Sequence, residues 1–148
     1  MKSLLRLAIA TSLLLGTGAV FAAESTPVGT WKTIDDETGK PKSIVQITDN
    51  NGELKATVLQ VLQSDEGPHP LCKNCDGERK NRPVEGMNIM WGVRQDGDAW
   101  DGGKILDPKT GKVYKVKLHT IENGTKLEVR GYIGFSLMGR SQVWERQP

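Results

Sequence analysis

The chain has 148 residues and carries 20 Lys and Arg against 18 Asp and Glu, a formal charge of +2. That is enough for one domain and too little for two ordinary ones. Two of the cations, Lys2 and Arg6, lie in the first 22 positions, which hold no acid, so the remainder balances 18 against 18. A neutral remainder lacks the long-range field that draws a protein to nucleic acid or to an anionic membrane.

In chain order, the first feature is the N-terminal stretch. Lys2 and Arg6 carry its charge, Leu4 to Leu15 is almost wholly apolar, and Gly16, Gly18 and the small-residue ending Ala19-Val20-Phe21-Ala22-Ala23 follow. A basic segment, an apolar segment and a small-residue cleavage site together predict a secretory signal peptide over 1–22 and a mature domain over 23–148. The expected location is the periplasm or the extracellular space. Past this stretch no apolar run approaches the ~20 residues of a spanning helix.

The rest of the chain has Gly and Pro at short intervals and no helical spacing of apolar residues. This excludes helical bundles and folds that need long crossover helices. Strands are expected over 29–33, 42–48 and 53–62, with Asp49-Asn50-Asn51-Gly52 as a hairpin turn between the last two. The third alternates Leu54, Ala56 and Val58 against Lys55 and Thr57. It then turns apolar on both sides at Leu59, Val61 and Leu62, which predicts an end covered on both faces. Residues 63–86 form one long irregular segment with Pro68, Pro70, Pro83 and both cysteines; such a segment is either a surface loop tied down by its cysteines or a functional one. Further strands are expected over 87–93, 103–106, 112–119, 125–131 and 141–146, separated by Asp- and Gly-rich turns such as Asp107-Pro108-Lys109-Thr110-Gly111. About eight strands joined by hairpin turns predict an all-β, up-and-down antiparallel barrel. The charged residues Lys115, Lys117, Glu128 and Arg130 on one strand face argue against an outer-membrane barrel, whose outer face is apolar.

Cys72 and Cys75 form a C-x-x-C, which in an oxidising compartment favours a disulfide. His69 three residues earlier leaves a metal site conceivable, with Asp65 or Asp76 as a fourth ligand. Redox chemistry would need the βαβ setting that this chain lacks. Asp96, Asp98 and Asp101 do not follow the order of a calcium loop and suit turn chemistry instead. His69 and His119 are the only histidines, and no Gly-x-Ser-x-Gly elbow occurs. No catalytic residue, cofactor or metal is therefore assigned.

Two resemblances add to this reading. Gly29-Thr30-Trp31 on the first strand, with an arginine-bearing last segment, looks like the lipocalin and calycin pattern. That resemblance implies that Trp31 plugs the closed end of a barrel and that an arginine stacks over its indole, Arg146 being preferred to Arg140. Four elements extend the match. They are Trp31-Lys32-Thr33-Ile34-Asp35-Asp36; Cys72-Lys73-Asn74-Cys75 with Gly77-Glu78-Arg79-Lys80-Asn81-Arg82-Pro83 and Gly86-Met87; Trp100-Asp101-Gly102-Gly103-Lys104-Ile105-Leu106-Asp107-Pro108; and Arg130-Gly131-Tyr132-Ile133-Gly134 with Gly139-Arg140 and Trp144. Together they resemble the bacterial exported family called domain of unknown function 2147. The resemblance implies a lipocalin-like barrel in or outside the cell envelope and no particular activity.

The side chains suited to line a cavity are Trp91, Trp100, Tyr114, Arg130, Tyr132 and Arg140, although the tryptophans equally suit a core. Arg130 lies opposite the Leu127/Val129 face, either solvated or inside a polar cavity. Inward-facing Arg130 and Arg140 would call for a counter-charge, which predicts a small amphipathic or acidic ligand. The leading expectation is an exported small-molecule binding protein. The alternatives are an enzyme on an envelope metabolite, using carboxylates at the barrel mouth, and an interaction module whose 63–86 loop and 134–139 segment meet an envelope protein.

Overall fold

A computed structural model describes residues 26–148; the expected signal peptide and its cleavage site lie outside the described residues. Eight strands follow one another around a closed antiparallel barrel in chain order. They are β1 (Gly29–Ile34), β2 (Pro41–Asn50), β3 (Glu53–Val61), β4 (Asn88–Asp96), β5 (Ala99–Leu106), β6 (Val113–Ile121), β7 (Lys126–Tyr132) and β8 (Gly139–Arg146). The seam is closed by β1 against β8, with Trp31 opposite Arg146 and Lys32 opposite Glu145. Closure leaves no free sheet edge.

Period-two alternation decides which residues face in. Trp31 and Thr33 of β1, Val45 and Ile47 of β2, Leu54, Ala56 and Val58 of β3, Val116 and Leu118 of β6, and Leu127 and Val129 of β7 are all buried. Two details depart from the sequence pattern. The residues Trp100-Asp101-Gly102, which precede the strand expected over 103–106, belong to β5, where the register against β6 shifts between Trp100 and Gly103. Such a bulge keeps the strand paired while absorbing glycine-rich sequence. The far end of β3 is not covered on both faces, because Leu59 and Leu62 are 48% and 43% exposed. The register of β2 against β3 shifts at Ile44/Val45, and the following loop bonds to the strand at Val58 and Val61 through Gly86, Met87 and Glu85, leaving Leu59 and Leu62 in solvent.

The two barrel ends differ. At one end the indole N–H of Trp31 donates to the Pro27 carbonyl at 2.8 Å. The Arg146 guanidinium lies 4.2 Å from the centre of the Trp31 ring and donates to the carbonyls of Gly124, Val28 and Thr26 at 2.6, 2.8 and 2.7 Å. Only glycine fits at position 29, where φ is +140° and an added Cβ would sit 2.5 Å from Arg146 Nη1. Arg146, rather than Arg140, thus stacks on Trp31 and ties the N-terminal segment across this end.

The other end carries the β1–β2 turn, the β3–β4 loop, the β5–β6 turn and the β7–β8 hairpin. Cys72 and Cys75 are joined in a disulfide, so neither is available as a thiolate metal ligand. Both are buried, with Val84 and Met87 of the same loop. Asn74 Nδ2 donates to the Lys109 carbonyl at 2.9 Å, and Cys72 Sγ lies 3.3 Å from the Pro108 carbonyl. Gly111 permits this docking, since a Cβ there would overlap the Asn74 carbonyl. The long loop is therefore anchored to the β5–β6 turn and walls the open end. Among the described residues, no helix is long and apolar enough to cross a membrane.

Candidate functional site

The barrel interior is open at this second end. An inner lobe of about 470 Å³ is floored by Ile89, Ile105, Leu106, Val129 and Trp144, with Gly131 and Tyr114 on its wall. An outer lobe of about 480 Å³ runs between the β1–β2 turn and the long loop, past Val58, Val61, Pro70, Leu71 and Val84. The lobes share Asp35, Glu37, Lys42, Ser43, Ile89, Asp107, Pro108 and Lys109, so they are one mouth. An apolar floor with a polar rim, in this size range, is the form of a small-molecule site.

The rim is a ring of ion pairs. Arg140 on β8 bonds to Asp36 through Nε, and its Nη2 lies 2.9 Å from Glu37 Oε1; these two carboxylates hold its pKa above the usual arginine value. Asp35 accepts the backbone N–H groups of Thr38 and Glu37 at 2.9 Å and lies 3.5 Å from Lys42 Nζ. The bond from Thr38, followed by those other donors and opposed by desolvation, keeps its carboxyl below the ordinary value. Lys109 Nζ donates to Asp65 at 2.8 Å, lowering the Asp65 pKa and raising that of Lys109. Deeper in, the hydroxyls of Thr33 and Ser43 are 2.8 Å apart. The Trp144 indole donates to Gln142, whose amide reaches Asp36 at 3.5 Å. No buried side-chain nitrogen or oxygen among the described residues lacks a partner.

Of the six expected cavity residues, Tyr114 and Arg140 line the mouth. Trp100 is buried in the core. Trp91 packs beside the core, with the Arg79 guanidinium of the long loop 4.5 Å from its ring centre. Arg130 and Tyr132 lie on the outer face of β7, opposite buried Leu127 and Val129. There Arg130 donates to the Ser136 and Leu137 carbonyls and to Ser141 Oγ, and the Tyr132 hydroxyl lies 3.2 Å from Asp101 Oδ1. Burial, then Asp101, push the Tyr132 pKa up.

Sequence reasoning passed over Asp36, Glu37, Lys42, Ser43, Gln142 and Trp144. The last two were within reach, because Arg140, Gln142 and Trp144 alternate along β8 in phase with one another. Ser43 likewise falls in phase with Val45 and Ile47 on β2, whereas the turn residues Asp36 and Glu37 carry no such signal.

The histidines stand apart from the mouth. His69 Nδ1 lies 2.7 Å from Glu85 Oε2, whose Oε1 accepts the Val61 N–H. His119 is 3.9 Å from Asp98, an almost fully exposed turn residue. Among the described residues, no group of three His, Cys, Asp or Glu is arranged to hold a metal ion.

The barrel is similar to a solved structure described as protein HP1028 from the human pathogen Helicobacter pylori, a member of the lipocalin family. The TM-score is 0.71 at 23% identity, covering 82% of each chain. That likeness establishes a lipocalin fold. No curated protein matches the sequence. Residues 29–146 match a family described as an uncharacterised protein conserved in bacteria. The match spans every strand of the barrel, and the chain belongs to that family, domain of unknown function 2147.

Proposed function

We propose that the protein binds a small amphipathic molecule in the barrel, its apolar body on the inner floor and its polar end at the rim. The observation that carries this reading is the open interior of about 470 Å³, apolar below and charged above. The case for an acidic ligand rested on inward arginines in need of a counter-charge. Arg130 is on the outer wall and Arg140 is matched by Asp36 and Glu37. Six carboxylates against four cations line the two lobes, which favours an uncharged or cationic polar end. Asp35 and Asp65 have lowered pKa values, so these two are poorly suited to act as general acids.

The test is a plug. Gly131 lines the inner lobe, and a Cβ added there meets only Tyr114, at an ordinary 3.6 Å. Gly131→Leu should push an isobutyl group into the lobe and narrow it without backbone strain. N-phenyl-1-naphthylamine, uncharged at neutral pH, should bind the parent with enhanced fluorescence and lose at least ~tenfold in affinity to Gly131→Leu. The anionic probe 8-anilino-1-naphthalenesulfonate should bind more weakly than the uncharged one. Equal probe binding by parent and plug variant would place the dye elsewhere and defeat the reading; a preference for the anionic probe would defeat its charge component.

We further propose that the protein acts after export, on the strength of the basic, apolar and small-residue segments over 1–22. Material recovered from the envelope or medium should have an intact mass lacking about 22 residues; retention of Met1 there would refute it.

A further inference from the structure

The β7–β8 hairpin ends in an apolar tip that the barrel does not use. Ile133, Phe135, Leu137 and Met138 are 69%, 81%, 90% and 76% exposed. They lie on and beside a short 3-10 turn, Ser136–Met138. Four large apolar side chains within six residues, all in solvent, are a feature that monomeric surfaces rarely carry without a use. The tip is also held in place. Arg130 donates to the carbonyls of Ser136 and Leu137 at 2.6 and 3.3 Å and to Ser141 Oγ at 3.0 Å, while Lys115 Nζ reaches the Gly134 carbonyl at 3.5 Å. Both contacts are made to the backbone of the tip, so they fix its path and leave its side chains outward.

Beneath the tip the outer wall is basic. The registers place Trp91 opposite Lys104, Lys104 opposite Lys115, Lys115 opposite Tyr132, and Tyr132 opposite Gly139. That row crosses five strands and contains two lysines, two aromatic residues and no carboxylate. The next row sets Lys117 beside Arg130, with Asp101 4.0 Å from Lys117. Apolar residues at a protruding edge, with Tyr132, Lys115 and Lys104 behind them, are in the order a bilayer presents its acyl region, interface and head groups. Chain neutrality does not oppose this, because attraction to an anionic surface acts locally, within about a Debye length.

We propose that this hairpin tip docks on an anionic lipid bilayer, with Ile133, Phe135, Leu137 and Met138 entering the interface and Lys104 and Lys115 facing the head groups. A bilayer suits the shape better than a protein does. Stable protein interfaces bury ~800 Å² per partner, more than a convex tip of four side chains offers, whereas lipid surrounds such a tip on every side. The hairpin that bears the tip contributes Gly131 and Arg140 to the mouth, so docking would bring the cavity to the membrane surface. The docking inference itself rests on the outer surface and stands whether or not the cavity holds a ligand.

The experiment is co-sedimentation of the exported protein with vesicles of phosphatidylcholine, with and without about one-third phosphatidylglycerol. Binding is expected on the anionic vesicles and should weaken as salt is raised. Phe135→Ser with Leu137→Ser should lower affinity at least ~tenfold while leaving the circular dichroism and melting temperature unchanged, because neither side chain is buried. Lys104→Gln with Lys115→Gln should remove most of the difference between the two vesicle types. Gly131→Leu should bind vesicles as the parent does, which separates this inference from the ligand reading. Failure of the parent to bind, or equal binding by the serine variant, would overturn the proposal. So would a concentration-dependent dimer in sedimentation that the serine substitutions abolish without changing vesicle binding, since the tip would then be a contact between two copies.

Discussion

The closed end of the barrel gives the sharpest test of the physical argument. Trp31 is fully buried, and large-to-small changes at such positions cost ~3–5 kcal/mol. Arg146 supplies the ring contact at 4.2 Å and three hydrogen bonds of 2.6–2.8 Å to backbone carbonyls. Hydrogen bonds to a charged group contribute about 1.5–3 kcal/mol each, and a cation over an aromatic ring ~0.5–2. Their sum would overshoot, because carbonyls near the surface regain water and bonds made by one side chain are not independent. Arg146→Ala is therefore expected to cost about 2–4 kcal/mol by urea denaturation. Arg146→Lys should recover less than half of this, since one ammonium cannot span three carbonyls and cover the ring. The Trp31/Arg146 double-mutant cycle should show a coupling of at least ~0.5 kcal/mol. Gly29→Ala should cost ~1–3 kcal/mol through its φ of +140° and the clash with Arg146 Nη1, and less in the Arg146→Ala background, where the clash is gone. If Arg146→Ala stays within ~0.5 kcal/mol of the parent, the guanidinium is not the clasp described here.

Two further outcomes follow from the open end. Alkylation of the protein purified without reductant should leave Cys72 and Cys75 unlabelled; a Cys72→Ser, Cys75→Ser variant should lose ~2 kcal/mol from the short ring alone, and labelling of both thiols in the native protein would contradict the pairing. Stability should also fall with acid. The Thr38 N–H bond lowers the Asp35 pKa, the Lys109 bond that of Asp65, and the Val61 N–H bond that of Glu85. The unfolded chain then takes up protons first as pH drops through the ordinary carboxylate range near ~4. This stabilisation is therefore complete above that range and is lost as pH falls through the folded-state values. The urea midpoint should decline between pH ~5 and ~3, less steeply in Glu85→Gln, and a flat midpoint would contradict the assignment.

Residues close in sequence decided much of this protein. Alternation along 43–47, 54–58 and 114–118, punctuated by Asn-Gly and Asp-Gly turns, specified short antiparallel strands, because side chains two apart share a face and such turns accept positive φ. The cysteine spacing together with the expected oxidising compartment favoured a disulfide but left a metal site with His69 open, and the joined cysteines decide between them. Trp31 and Arg146 were legible only through the family pattern. Nothing local tells residue 31 that residue 146 will close the barrel beside it.

The tertiary structure alone decided the site. Alternation divides a strand into two faces but names the inner one only where one face is plainly apolar. On β7 the outward set holds Arg130 and Tyr132 and the inward set ends in Gly131, so hydrophobicity gave no guide at the rim. The mouth itself is assembled by closure. Arg140 meets Asp36 across 104 positions of sequence, and Lys109 meets Asp65 across 44. Charges in separate turns read as solvated surface until the barrel brings the turns together, and only then do they become a rim above an apolar cavity.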